Sequence, residues 1–179
     1  MQVGKPQSGD GGNRRRLVLL QTVRARDFDE LAEAFPRWDL RFRQLGGGPF
    51  QGELEFLQLG ALQILRVSCN RRIHAQGSPP PGSFGFAPVL PRNEGAFWRG
   101  RRLGIGQLVT IDPGQENDHI TTQAGYEFIA LTVNEDFFRE CAAVLGGFDP
   151  EERLVGRLAV TSGPARFRAL KNPCKPWVW

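Results

Sequence analysis

Two histidines, His74 and His119, are the only imidazoles in the chain, so metal or acid–base chemistry has few possible centres. Glu116, Asp118 and His119 lie close together, directly after the turn-forming sequence Asp-Pro-Gly at 112–114. Carboxylate and imidazole side chains bind divalent metals, so this segment predicts a metal site as one alternative. A loop of solvated polar side chains is the interpretation that the sequence favours.

Cys69 and His74 form the one pair in which a nucleophile lies near a base in sequence. Nucleophilic catalysis also needs a third group that orients the base. Cys69 is the last apolar position of a predicted strand and His74 precedes a proline-rich segment, so a core thiol and a structural histidine are expected. Gly104-Ile105-Gly106 is not followed by a predicted helix, which argues against a nucleotide-binding loop. We predict no catalytic residue, no cofactor and no enzyme activity.

Aromatic side chains on predicted strands could line a pocket, because small-molecule sites are largely apolar with a few polar anchors. Core packing is the competing interpretation for each aromatic residue. The predicted ligand-binding set consists of four aromatic residues and two charged anchors: Phe84, Phe86, Trp98, Tyr126, Arg66 and Glu127.

The composition indicates an ordinary globular protein. The chain has 179 residues, of which 40% are hydrophobic and 23% charged, which is enough for one core without disulfides. Three widely spaced cysteines predict neither a disulfide framework nor a Cys-x-x-Cys metal site, and they favour a reducing compartment. No apolar run reaches the roughly 18 residues of a membrane-spanning helix, and no signal peptide is recognisable. We expect a soluble, cytoplasmic protein with no membrane contact.

The basic residues lean towards arginine, and the formal net charge is +4. Arginine-rich runs at 14–16, 71–72 and 99–102 are possible nucleic-acid contacts. No groove-reading motif accompanies them, so solvated loop charges are the favoured interpretation.

Period-two alternation dominates the middle of the chain. Apolar runs at 50–59 and 62–69 meet at Gly60-Ala61 and predict an antiparallel hairpin. Three consecutive prolines predict that 76–82 is a loop and not a central strand. Further strands are predicted at 38–43, 83–90, 96–103, 107–111, 119–123 and 126–133.

Helical patterns flank these strands. Asp27 and Glu30 resemble a capping box for a short helix that ends at Pro36. Helices are also predicted at 135–145, at 151–158 and at 164–170. This order predicts a mostly β fold: a cupin-like or jelly-roll barrel with a short N-terminal helix and two or three C-terminal helices. The predicted divisions are a disordered leader, the barrel, a helical appendage and a tail, at 1–13, 14–133, 134–171 and 172–179.

Residues 38–45, 52–54, 59–66, 70–80 and 98–100 together resemble the N-terminal sensor domain of AraC-type transcription regulators. The resemblance extends over about residues 27–145. It implies a cupin-like barrel that senses an unidentified small-molecule effector, and helices in 134–171 that pair two protomers as a homodimer. Such regulators contact DNA through a separate domain of two helix-turn-helix units, which this chain lacks.

Two alternatives stand beside the sensor interpretation. Cupin metal sites use two histidines one residue apart, a nearby glutamate and a later histidine, and this pattern is absent here. A small metal-dependent cupin enzyme would instead depend on Glu116, Asp118 and His119. A stand-alone interaction module would use the helices and the terminal residues Trp177 and Trp179.

Overall fold

The structure, a computed structural model, describes residues 18–145 and 159–161. Within these residues the chain forms twelve strands, two α-helices and one short 3-10 turn at Pro91–Asn93. The helices are α1 (Phe28–Glu33) and α2 (Glu135–Leu145). The strands are β1 (Val18–Ala25), β2 (Asp39–Gln44), β3 (Gly52–Leu59), β4 (Leu62–Cys69), β5 (Ile73–Ser78), β6 (Ser83–Pro88), β7 (Phe97–Trp98), β8 (Arg101–Arg102), β9 (Gln107–Ile111), β10 (Asn117–Ile120), β11 (Tyr126–Asn134) and β12 (Ala159–Thr161).

The strands form two antiparallel sheets. The seven-stranded sheet has the order β1-β3-β4-β11-β6-β9-β12, and the five-stranded sheet has the order β2-β5-β10-β7-β8. From β4 to β11 the chain passes from one sheet to the other at every connection except the β7–β8 hairpin. Eight strands that alternate between two sheets in this way form a jelly roll. The prediction of a mostly β, jelly-roll fold is confirmed.

The central hairpin has the predicted position and register. β3 and β4 pair from Gly52–Cys69 to Leu59–Leu62, and Gly60 has a positive φ of 59° in the turn. Leu54 and Phe56 are buried, whereas the alternating residues are only partly buried. The period-two pattern therefore separates a core-facing side from an outer side, as it should in a half-buried strand.

Several strand predictions were wrong in detail. The predicted strands 119–123 and 83–90 are observed at Asn117–Ile120 and Ser83–Pro88. Residues 76–78 were predicted to be loop, yet they belong to β5, which lies between β2 and β10. The three prolines begin directly after Ser78, so no proline occupies a ladder position. The predicted strand 96–103 is divided into β7 and β8, because Arg99 and Gly100 both have positive φ angles and form a tight turn.

The C-terminal region differs from the all-helical appendage predicted for 134–171. α2 is present, but Ala159–Thr161 is a strand that pairs with β9 at the edge of the sheet. The other predicted helices, at 151–158 and 164–170, lie outside the described residues, as do the leader and the tail. The prediction of two or three C-terminal helices is thus not borne out. Among the described helices, none is both long and apolar enough to cross a membrane.

Candidate functional site

An internal cavity of about 40 Å³ lies between the two sheets. The five-stranded sheet contributes side chains from β2, β5, β7 and β10, and the seven-stranded sheet contributes side chains from β4, β9 and β11. Phe35 and Trp38, which follow α1, also line the cavity. The capping box places these two residues: the side chain of Asp27 accepts a 2.7 Å hydrogen bond from the amide of Glu30 and begins α1.

The cavity wall contains an aromatic cluster of Trp98, His119, Tyr126 and Phe128. Trp98 and His119 are paired residues of β7 and β10, so their rings lie side by side with centroids 5.4 Å apart. Tyr126 and Phe128 approach from β11 in the other sheet, with centroids 5.3 and 5.7 Å from that of His119. The imidazole therefore lies at the centre of contacts between the sheets.

One hydrogen bond orders the polar atoms of this cluster. The Tyr126 hydroxyl lies 3.2 Å from Nδ1 of His119. Burial lowers the pKa of His119 to about 4, with smaller effects from Asp118 and His74, so the imidazole is neutral near pH 7. Burial also raises the pKa of Tyr126 well above its usual value, so the phenol keeps its proton.

The neutral imidazole has two tautomers, and they differ in what they leave unpaired. If the Tyr126 hydroxyl donates to Nδ1, only the Nε2–H of His119 lacks a partner. If Nδ1–H donates instead, both the hydroxyl proton and a bare Nε2 remain unpaired. The first arrangement leaves fewer unsatisfied groups, so we assign the proton of His119 to Nε2.

Two ring nitrogens at the cavity have no hydrogen-bond partner among the described residues: Nε2 of His119 and Nε1 of Trp98. His119 is 3% exposed and Trp98 is 4% exposed. A buried donor without a partner costs about 1–3 kcal/mol, and such groups are uncommon in folded proteins. Both nitrogens are donors with almost no accessible surface, so an acceptor in the cavity would reach them only if neighbouring side chains shift.

The six residues predicted to bind a ligand do not form one site. Trp98 and Tyr126 line the cavity. Arg66 and Glu127 instead form a 2.7 Å ion pair on the outer face of the seven-stranded sheet, which is the face turned away from the five-stranded sheet. There Glu127 and Glu55 raise the pKa of Arg66 by hydrogen bonding.

Phe84 and Phe86 lie on the same outer face, beneath α2. Their ring centroids are 5.4 and 5.5 Å from that of Phe138 on this helix. Both residues therefore pack between the sheet and α2, and neither lines the cavity.

The hypothetical metal set is contradicted by the geometry. Successive residues of a strand point to opposite faces, so Asp118 points away from the buried His119. Asp118 lies 3.2 Å from Nε2 of His74, and Glu116 lies 3.5 Å from Arg41. Within the described residues, no group of three or more His, Cys, Asp or Glu side chains could hold a metal ion.

The pair Cys69 and His74 also has separate surroundings. Cys69 is buried, its thiol lies 3.3 Å from the carbonyl oxygen of Arg71, and burial raises its pKa. His74 instead contacts Asp118 through its ring nitrogen. A protonated, buried thiol is a poor nucleophile, which agrees with a structural role.

Trp38 and Phe128 are cavity residues that the sequence interpretation did not select. Trp38 was predicted to lie on the apolar face of a strand, but its contact with both the cavity and an outer groove was not predicted. It lines the cavity and also an outer groove of about 610 Å³, which Arg37, Asp39, Pro79 and other residues of nearby turns border. Its Nε1 donates a 3.0 Å hydrogen bond to Gln63.

No protein-family model matches this chain. Among solved structures, the chain is similar to vicilin from Corylus avellana (hazelnut), with 14% sequence identity and a TM-score of 0.28. The match covers 75% of this chain and 50% of the vicilin chain, so this chain spans about half the length of that protein. A TM-score this low supports no inference about function.

The buried state of His119 predicts a specific pH dependence of stability. The unfolded chain takes up a proton at this residue below its ordinary pKa of 6.5, but the folded chain does so only below about pH 4. The free energy of unfolding should therefore fall as the pH drops through this window, by up to about 3 kcal/mol. Urea unfolding of the wild type and of His119→Gln, at about pH 7 and about pH 5, measures the effect.

The variant should lose clearly less stability than the wild type between these two pH values. His74→Gln is the matched control, since it removes the other histidine and should retain most of the wild-type loss. Parallel losses in the wild type and in His119→Gln would contradict a neutral, buried His119.

Proposed function

We propose that this protein binds a small molecule in the cavity between its sheets. The observation that carries the proposal is the pair of buried donors, Nε2 of His119 and Nε1 of Trp98, which lack partners among the described residues. The rest of the wall is mostly apolar and includes the amide side chains of Gln76 and Asn117. Small-molecule sites combine an apolar lining with a few polar groups that fix orientation. A ligand that satisfies both donors gains hydrogen bonds that the protein alone does not form.

Binding without catalysis is the role that these groups support. The His119 imidazole is held neutral, and its Nδ1 is engaged by Tyr126. Proton transfer at pH 7 works best with a group whose pKa lies near 7. The pKa of His119 lies well below that value. Cys69 is buried and protonated, so it is not an activated nucleophile.

The finer proposal is an effector-sensing domain of an AraC-type transcription regulator in the cytoplasm. The resemblance over about residues 27–145 and the jelly-roll strand order support it. In such a regulator the barrel binds the effector, and a separate domain contacts DNA.

Pairing with a second copy is part of this proposal, through the outer face of the seven-stranded sheet and not only through the helices that the resemblance implies. Five apolar residues form a row across the outer face through successive strand pairs: Leu20, Leu57, Ile64, Leu131 and Phe86. Phe138 of α2 covers Phe86, while Leu20, Ile64 and Leu131 are 64%, 38% and 37% exposed. Exposed apolar rows of this kind favour protein contacts.

The charges beside the row suit a second copy of this chain. Arg66 pairs with Glu55 and Glu127, and Arg24 pairs with Glu53, so guanidinium and carboxylate groups are interspersed there. Two copies related by a two-fold axis present identical surfaces to each other. Because this surface carries both positive and negative charges, two identical surfaces can pack together with little repulsion between like charges.

A thermal-shift screen of uncharged and charged metabolites, with the full chain, tests ligand binding. At a ligand concentration 100 times its Kd, the complex should be more stable than the free protein by about 2.7 kcal/mol, which raises Tm by several degrees. Trp98→Phe should reduce the shift, whereas the matched outer-face change Phe86→Leu should leave it unchanged. The proposal fails if no compound stabilises the wild type, or if both variants respond as the wild type does.

Light scattering of the full chain tests the pairing of two copies. Ile64→Lys places a charge in the apolar row of each copy, so the dimer should dissociate at concentrations where the wild type is dimeric. Ile105→Lys is the control, because Ile105 is similarly exposed, at 47%, but lies in the loop between β8 and β9. A wild type that stays monomeric at about 0.1 mM, a typical concentration for a weak complex, would contradict the proposal.

A further inference from the structure

We infer the chemical class of the ligand: an uncharged, flat molecule whose carbonyl oxygen accepts hydrogen bonds from His119 and Trp98. This inference rests on the proposed binding function and adds the ligand's charge, shape and polar group. Each of these three properties follows from a different feature of the cavity.

The polar group follows from the two free donors. An indole nitrogen is a donor only, and the Nε2 of His119 carries a proton in the tautomer assigned above. The two rings are neighbours, with centroids 5.4 Å apart, and each lines the cavity. A carbonyl oxygen has two lone pairs and can accept from both donors, and it brings no proton of its own that the lining would have to accept.

The absence of charge follows from the lining. Its side chains are aromatic, aliphatic or amide groups apart from His119, and His119 is neutral at pH 7. No acidic or basic side chain among the described residues lines this space. An ion transferred into it would lose its hydration without gaining a counter-charge, which costs several kcal/mol.

The flat shape follows from the rings. Phe128 is nearly parallel to Trp98 and to Tyr126, with interplanar angles of 14° and 13° and centroids 6.3 and 6.1 Å apart. Aromatic and conjugated groups pack well against such faces or edges. A carbonyl carbon and its attached atoms are planar, so the carbonyl end of a ketone, aldehyde or amide fits this wall better than a branched aliphatic carbon.

The size of the cavity indicates which part of the ligand lies inside. A water molecule needs about 10–15 Å³ of cavity volume. The cavity of about 40 Å³ therefore holds about three non-hydrogen atoms. That is room for a carbonyl group and its nearest atoms. Trp38 lines both this space and the outer groove of about 610 Å³, so the rest of the ligand extends towards the groove.

Entry of such a ligand from the groove involves a movement of the Trp38 ring, and the surroundings of Trp38 favour this movement. Trp38 follows Arg37, whose positive φ of 66° is unfavourable for a non-glycine residue. Among the described residues, the indole of Trp38 donates a hydrogen bond to Gln63, which also lies 3.5 Å from the hydroxyl of Thr132. A shift of the indole would join the cavity to the groove without breaking a strand pair.

Three probes of similar size separate the properties of the ligand: acetophenone, ethylbenzene and benzoate. Acetophenone has the carbonyl and no charge, ethylbenzene lacks an acceptor, and benzoate carries a charge. NMR titration of the full chain reports binding through the indole N–H signal of Trp98, which Trp98→Phe identifies by its loss. The signal of Trp38, whose ring lines both spaces, reports the movement of that ring.

Acetophenone should shift the Trp98 indole signal and bind about five- to tenfold more tightly than ethylbenzene, as one or two hydrogen bonds imply. Benzoate should bind more weakly than acetophenone. Trp98→Phe should lower the affinity for acetophenone about fivefold and leave that for ethylbenzene unchanged. Phe86→Leu, on the outer face, should alter neither affinity.

Tighter binding of ethylbenzene or benzoate, or binding of acetophenone that leaves the Trp98 signal unmoved, would overturn the ligand class. So would failure of all three probes to bind. These results leave the proposed function standing if a metabolite from the thermal-shift screen still depends on Trp98. If no compound binds in either experiment, both the function and the ligand class fall.

Discussion

The hydrogen bond between the Tyr126 hydroxyl and Nδ1 of His119 is the constraint on which the cavity depends. It joins β11 of one sheet to β10 of the other inside an almost wholly apolar space. In the assigned tautomer the hydroxyl donates to Nδ1, so the single imidazole proton lies on Nε2 of a ring that lines the cavity. Burial keeps the ring uncharged, so the site offers directed hydrogen bonds without electrostatic attraction. The hydrogen bond thus sets the position of the ring, and burial keeps the ring neutral.

The two faces of the seven-stranded sheet have separate roles in this arrangement. The inner face supplies Tyr126 and Phe128 to the cavity, while the outer face has ion pairs at one end and an apolar row at the other. α2 covers part of that row through Phe138. Since each strand contributes alternate residues to both faces, a change in the position of β11 would affect the cavity and the outer row together.

Much of the fold could be predicted because its signals are local. The hairpin turn at Gly60, the strand 107–111 and the capping box at Asp27 each depend on residues that are close in sequence, and each is observed. The extent of β5 could not be predicted in this way, since it depends on pairing with β2 and β10, which are distant in sequence.

The site was harder to predict for a related reason. Alternation shows which residues share a face, but not what covers that face. Phe84 and Trp98 look alike in sequence, yet one packs beneath α2 and the other lines the cavity. His119 and Asn117 are two residues apart in β10, so they lie on the same, buried face. The acidic neighbours of His119 made this alternation hard to recognise in the sequence.

The protonation of His119 is the most direct test, because the free donor at Nε2 depends on it. Long-range nitrogen–proton NMR correlation of the histidine ring in the full chain, near pH 7, distinguishes the tautomers. A neutral ring with its proton on Nε2 and a bare Nδ1 is the expected result. A ring protonated on Nδ1, or on both nitrogens, would contradict the donor pair on which ligand binding is proposed to depend.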